Sequence, residues 1–164
     1  MFTVPIHSSS ESELFETFDP GGTRLSSGLK HYLETFVEDR VAGQEVRLEL
    51  SCAGGMDIAR FEQAYRAYID ALIKRCRSKR AGLIAHALCL LAIGVAFVFV
   101  GLACAEILSP VPSAIVSTVG SFSIWEASSI WIVEMPELRK REHVLDIYRR
   151  ADVVLVDEGK QHGR

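Results

Sequence analysis

The chain has 164 residues, 49% of them hydrophobic, and carries 18 Lys and Arg against 21 Asp and Glu, for a net charge of -3. Its length suits one domain, but the charge is segregated: from Ala81 to Met135 there is no Lys or Arg, and the only acids are Glu106, Glu126 and Glu134. So long a charge-poor run exceeds the core of a small soluble domain and predicts a membrane protein, while the balance of 18 basic and 18 acidic groups outside it excludes binding to nucleic acid through a basic excess.

Met1 to Lys30 is polar, with Ser8, Ser9, Ser10, Glu11 and Glu13, so no cleaved secretory signal is expected there. Phe2 to Ile6 and Leu14 to Phe18 can each supply a short strand. Ser26 to Arg40 places Leu29, Tyr32, Leu33, Phe36 and Val37 at amphipathic helical spacing, ending before Gly43. Val46 to Leu50 alternates apolar and charged residues, the pattern of a strand with one buried face. Asp57 can then cap a helix, with Met56 and Phe61 in the staple positions and Ile58, Phe61, Tyr65, Tyr68, Leu72 and Ile73 along one face. No breaker separates this helix from the apolar run, so one long helix is predicted from about Asp57 onward.

The first span is read as Ala81 to Ala105, with His86 its only ionisable residue; roughly 25 residues at helical rise cover about 37 Å, enough for a tilted crossing. The second span is read as Ala114 to Met135, and the two prolines of Ser109 to Ser113 predict a tight turn between them. Lys74, Arg75, Arg77, Lys79 and Arg80 precede the first span and Arg139, Lys140 and Arg141 follow the second, so both termini are expected in the cytoplasm of a cell with an inner or plasma membrane. Pro136 can open a helix to Arg150 that buries Leu138, Leu145 and Tyr148. Ala151 to Val156 is β-prone, and Val46 to Leu50 is its expected partner. Glu158 to Arg164 reads as a disordered tail. The expected fold class is therefore membrane α-helical: a two-helix transmembrane hairpin, residues 81–135, with a small cytoplasmic α+β unit built from both chain ends, residues 1–80 and 136–164.

The Leu-Ser-Ser-Gly-Leu-Lys-His-Tyr-Leu segment, a short strand, the Arg-Phe-Glu-Gln-Ala-Tyr-Arg-Ala-Tyr-Ile helix, a hairpin, a Trp-containing second span and an Arg-rich exit ending in a strand resemble a group of uncharacterised bacterial two-span membrane proteins. The resemblance extends over about residues 25 to 156, carries no catalytic motif and implies architecture alone.

Ionisable groups inside a bilayer cost several kcal/mol unless neutral, paired or wet, which singles out His86 and Glu126. Measured from the cytoplasmic ends of their spans, their depths differ by only about 4 to 5 Å. Three roles follow: a hydrogen-bonded pair, His86 with Glu126 or Glu126 with Ser123, that locks helix packing; pairing with different partners in an oligomer; or copies of Glu126 lining a cation or proton path. Glu106 and Glu134 stand at the membrane boundaries, where hydration is the ordinary state. Gly82, Ala85, Cys89, Ala92, Ala96 and Ala103 form a small-residue stripe that admits another helix, with Gly94 and Gly101 on a different face. One such face would meet the second span and the other a second protomer.

Catalytic and metal readings find little. Trp131 and Pro136 stand at the offset of the Trp-Asp-x-x-Glu-Pro signature of calcium uniporter pores, but Ile132 replaces the first acid and Glu134 comes one position early. Ser51 to Met56 lies between strand and helix as phosphate loops do, yet lacks the Lys, and Asp57 would repel phosphate. His7, His31, His143 and His162 show no metal spacing, and Cys52, Cys76, Cys89 and Cys104 form no close pair. No enzyme, metal or cofactor is expected. The leading expectation is an oligomeric membrane scaffold or regulatory protein whose partners are lipid, further copies of the chain and a cytoplasmic protein. The alternative is an oligomeric cation or proton channel subunit with Glu126 in the permeation path.

Overall fold

The computed structural model describes residues 2–17, 19, 23–38, 45–52, 56–103 and 110–156. The described elements are β1 (Phe2–Ser8), α1 (Glu11–Leu14), α2 (Ser27–Glu38), β2 (Val46–Cys52), α3 (Ile58–Ala103), α4 (Pro110–Ser129), a π-helical turn (Ile130–Glu134), α5 (Met135–Arg149) and β3 (Asp152–Leu155). They fall into two compact units, residues 1–75 with 140–164, and residues 76–139.

In the first unit the strands form one sheet of order β1-β2-β3, and both pairings are parallel. The expected pairing of Val46 to Leu50 with the terminal strand is present, with Leu48 opposite Val153 and Leu50 opposite Leu155. The opening strand is present too, with Val4 opposite Leu48 and Ile6 opposite Leu50. Parallel strands require crossovers, and each connection here is helical. The unit is thus built from β-α-β crossovers, an arrangement more specific than the generic α+β expectation. Strand alternation puts Val4, Ile6, Val46, Leu48 and Leu50 into the core, while Pro5, His7, Asp152 and Val154 on the opposite face stay exposed.

The helices fill the core from the residues their spacing marks. On α2, Leu29, Leu33 and Val37 are buried, whereas Tyr32 remains partly exposed because its hydroxyl donates to the Pro5 carbonyl at 2.7 Å. Ser26 caps α2, its Oγ accepting from the Leu29 amide at 3.3 Å. Asp57 caps α3 as expected, its Oδ1 accepting from the Ala59 and Arg60 amides at 3.0 and 3.3 Å. Phe61, Tyr65, Ile69 and Ile73 of α3 are buried, although Ile58 is exposed. Leu138, Leu145 and Tyr148 are buried as expected, and Val144 joins them. Three hydroxyls tie helices of the first unit together: Tyr65 donates to the Tyr148 carbonyl at 2.8 Å, Tyr148 to the Phe36 carbonyl at 3.1 Å, and Tyr68 to Glu34 Oε1 at 2.9 Å.

Three expectations are corrected. Over its described part, Leu14 to Thr17, the expected Leu14 to Phe18 strand is not formed: Leu14 ends α1, whose first turn is held by Glu13 accepting from Ser8 and Ser9, and Phe15 makes only an isolated bridge to Leu25, while Phe18 lies outside the described residues. The prolines of Ser109 to Ser113 do not make an extended turn, because α4 begins at Pro110. In the first turn of a helix the missing proline amide has no partner to lose, so Pro110 and Pro112 start the helix and do not delay it to Ala114. Pro136 sits one residue inside α5 and does not open a new helix, since helical backbone runs from Pro110 through Arg149. A proline inside a helix clashes with the carbonyl four residues back, and the π turn immediately before it widens the backbone there, with the Met135 amide bonding to the Ile130 carbonyl. Cys104 to Ser109 and the 158–164 tail lie outside the described residues.

Candidate functional site

Among the described residues, α3 is the helix long and apolar enough to cross a membrane, and little of that stretch is buried. Phe99 is 68% exposed, Trp125 70% and Ile132 73%, which in water would be an aggregation liability.

Within the second unit α3 and α4 pack on glycine. A Cβ added at Gly94 would stand 2.8 Å from the Gly120 carbonyl oxygen and 2.7 Å from Ile124 Cγ1; one added at Gly120 would stand 2.8 Å from the Gly94 oxygen. Farther along, Gly101 meets Ser117, and Ser113 donates to the Gly101 carbonyl at 3.2 Å. A step up α3 is matched by a step down α4, so the two helices run antiparallel. From Ala87 onward the buried positions of the two helices repeat every seven residues: Ala87, Gly94 and Gly101 on α3, Gly120 and Ala127 on α4. This is the seam of an antiparallel helix pair at very short separation.

The stripe of Gly82, Ala85, Cys89, Ala92, Ala96 and Ala103 takes no part in that seam; every member is exposed, and Gly82 has no atom within 4 Å of an added Cβ. The sequence alone puts Gly94 and Gly101 on a separate face but gives them no partner. The heptad interval from Ala87, matched by Gly120 and Ala127, is the signal that could have found it.

His86 and Glu126 are both exposed, and neither makes a hydrogen bond or ion pair to a described residue. A His86–Glu126 pair within one chain is not formed. Glu134 is exposed in the π turn, and Glu106 lies outside the described residues. The hydroxyls of α4 behave differently: Thr118, Ser121, Ser123 and Ser128 donate to the carbonyls of Ala114, Ser117, Val119 and Ile124, four residues back, at 2.8–3.0 Å. Such back-bonding satisfies each hydroxyl inside its own helix, removing most of the penalty for placing it in apolar surroundings.

In the first unit an open depression is lined by Glu11, Glu13, Glu16, Asp19 and Arg60. Its carboxylates are already engaged. Glu11 pairs with Arg60 at 3.5 Å, Glu16 pairs with Lys30, and Asp19 accepts from the Thr23 and Arg24 amides at 2.8 Å. Hydrogen bonds from Ser9 and Ser8 hold the Glu13 carboxyl below its ordinary value. No group of three or more His, Cys, Asp or Glu side chains able to hold a metal occurs among the described residues. No protein-family model, curated protein or solved structure matches the chain.

Proposed function

We propose that the chain is a non-enzymatic integral membrane scaffold or regulatory protein. In this reading the apolar half of α3 and the length of α4 form a two-span hairpin, and the sheet unit and both termini lie in the cytoplasm. The observation that carries the reading is the pairing of β2 with β3. β2 precedes α3 and β3 follows α5, and two hydrogen-bonded strands must lie on one side of a bilayer. A chain that leaves through α3 has to return before β3. Helical backbone from Pro110 to Glu134 covers about 37 Å, is exposed along most of its apolar surface, and carries hydroxyls that need no external partner. The basic residues on both flanks, Lys74 to Arg80 and Arg139 to Arg141, favour the cytoplasmic side for both ends.

The test is membrane extraction combined with reporters at Arg164 and within residues 104–109. The protein should resist alkaline carbonate, the Arg164 reporter should face the cytoplasm, and the 104–109 reporter should face the opposite side. Release by carbonate, or both reporters on one side, would end the proposal.

A second reading draws on the exposure of Glu126 in the middle of an apolar helix. Copies of that carboxylate would line a cation path in an oligomer, because two helices cannot enclose a pore alone. Liposomes holding the wild-type chain would then pass cations, and Glu126→Gln would abolish the flux.

A further inference from the structure

We propose that the flank of the α3–α4 pair carrying His86 and Glu126 is the surface on which a second copy of this chain docks, each copy's His86 hydrogen-bonding Glu126 of the other. The inference rests on the hairpin reading above and adds to it the partner and the contact.

The placement follows from the seam. His86 immediately precedes the seam residue Ala87, and Glu126 immediately precedes the seam residue Ala127. Each therefore stands about 100° from the seam, in the same rotational sense about its own helix. In an antiparallel pair, equal rotations from facing seams bring both positions to one flank. The same rule adds Ile93 and Val100, which precede Gly94 and Gly101, and Val119, which precedes Gly120. All five are exposed. The flank is thus an apolar strip with one imidazole and one carboxylate.

A bilayer makes both polar groups costly where they stand, and neither has a partner among the described residues of its own chain. On a flat flank they point the same way and do not face each other. A two-fold axis along the membrane normal, set beside this flank, lays α3 of one copy against α4 of the next and keeps every residue at its own depth. From the seam contacts, Glu126 lies about 3–9 Å above His86 along the axis, within reach of the two side chains. The contact is isologous: the imidazole of each copy donates to the carboxylate of the other, giving two pairs per dimer and leaving neither group unpaired. At the same offset Val119 of the second copy falls between the levels of Ile93 and Val100, so the apolar positions interdigitate. Cys89, two residues beyond Ala87, stands close to half a turn from the seam and about 60° past His86, on the side away from the two-fold axis, so the Cys89 positions of the two copies point apart.

The test uses the full chain co-expressed with two different tags and reconstituted in nanodiscs, with co-purification of the tags as the readout. Wild type should co-purify. His86→Leu and Glu126→Leu should each weaken association about fivefold or more, and the exchange His86→Glu with Glu126→His should restore it. Oxidation should not link native Cys89 of one copy to Cys89 of another. Undiminished association of both single variants, failure of the exchange to restore it, or a Cys89–Cys89 link would each overturn the proposal. A chain that is membrane-integrated but monomeric refutes this contact alone, whereas a chain absent from the membrane refutes the hairpin beneath it.

Discussion

Tyr65 carries more of the sheet unit than its size suggests. Its ring is 1% exposed and its hydroxyl reaches a backbone carbonyl 83 residues away in sequence, that of Tyr148, whose own hydroxyl holds the Phe36 carbonyl. Tyr65→Phe keeps the packing but leaves the Tyr148 carbonyl without this donor, so a loss of about 1–2 kcal/mol in the unfolding free energy of the detergent-solubilised protein is expected. The same two neighbourhoods set a pH response. Burial, with the nearby Tyr148, raises the pKa of Tyr65 above its ordinary 10.0, and burial with the Glu34 hydrogen bond and charge raises that of Tyr68. An acid whose folded pKa is raised keeps its proton in the folded state after the unfolded chain has released its own. The stabilisation is therefore complete below pH 10.0 and declines as pH climbs past it. Denaturation followed from about pH 8 to about pH 11 should show a fall confined to the alkaline end, shallower in Tyr65→Phe; an identical fall in that variant would remove Tyr65 as its source.

At the scale of elements, Gly94 and Gly82 give opposite expectations once the seam is known. Both are glycines of α3 on different small-residue faces, and local sequence does not say which of those faces meets α4. A methyl at Gly94 runs into the Gly120 carbonyl and Ile124, whereas a methyl at Gly82 meets nothing within 4 Å. Gly94→Ala should therefore destabilise the α3–α4 pair by about 1–3 kcal/mol, while Gly82→Ala should be neutral or gain up to about 1 kcal/mol from helix propensity. Unfolding in detergent with increasing denaturing surfactant checks both, and equal effects would dissolve the seam. The contrast also marks what is legible in the sequence. The cap at Asp57 and the buried faces of α2 and α5 are local or periodic signals, and they are readable, while the β2–β3 pairing follows from the need of an isolated terminal strand for a partner. Which of two small-residue faces meets α4 depends on a neighbour far along the chain, and no count along α3 alone decides it. The π turn is hidden for a related reason: Pro136 announces a break, but a widened turn upstream can absorb the clash and let the helix continue. The candidate site is legible only in its two members, His86 and Glu126, because which flank they share depends on the seam.

For the whole molecule, the apolar unit is an insertion in the second β-α-β crossover, between β2 and β3. In the proposed topology, local charge and global fold then place the same demand on the chain, since the basic flanks favour the cytoplasm and the sheet closes only if both of its ends reach one side. The two constraints can be separated. Neutralising Arg139, Lys140 and Arg141 to Gln removes the second flank but leaves Lys74, Arg75, Arg77, Lys79 and Arg80 to orient α3. The reporter at Arg164 should stay cytoplasmic in that variant. Neutralising the five residues before α3 removes the signal that acts first during insertion, so a mixture of orientations is expected, with the misoriented molecules recognised by protease access to Arg164. A uniform inversion after loss of the three later cations would mean that the sheet exerts no hold on the C-terminal end, and an outward Arg164 in the unaltered chain would be incompatible with β2 and β3 pairing across the inserted helices at all.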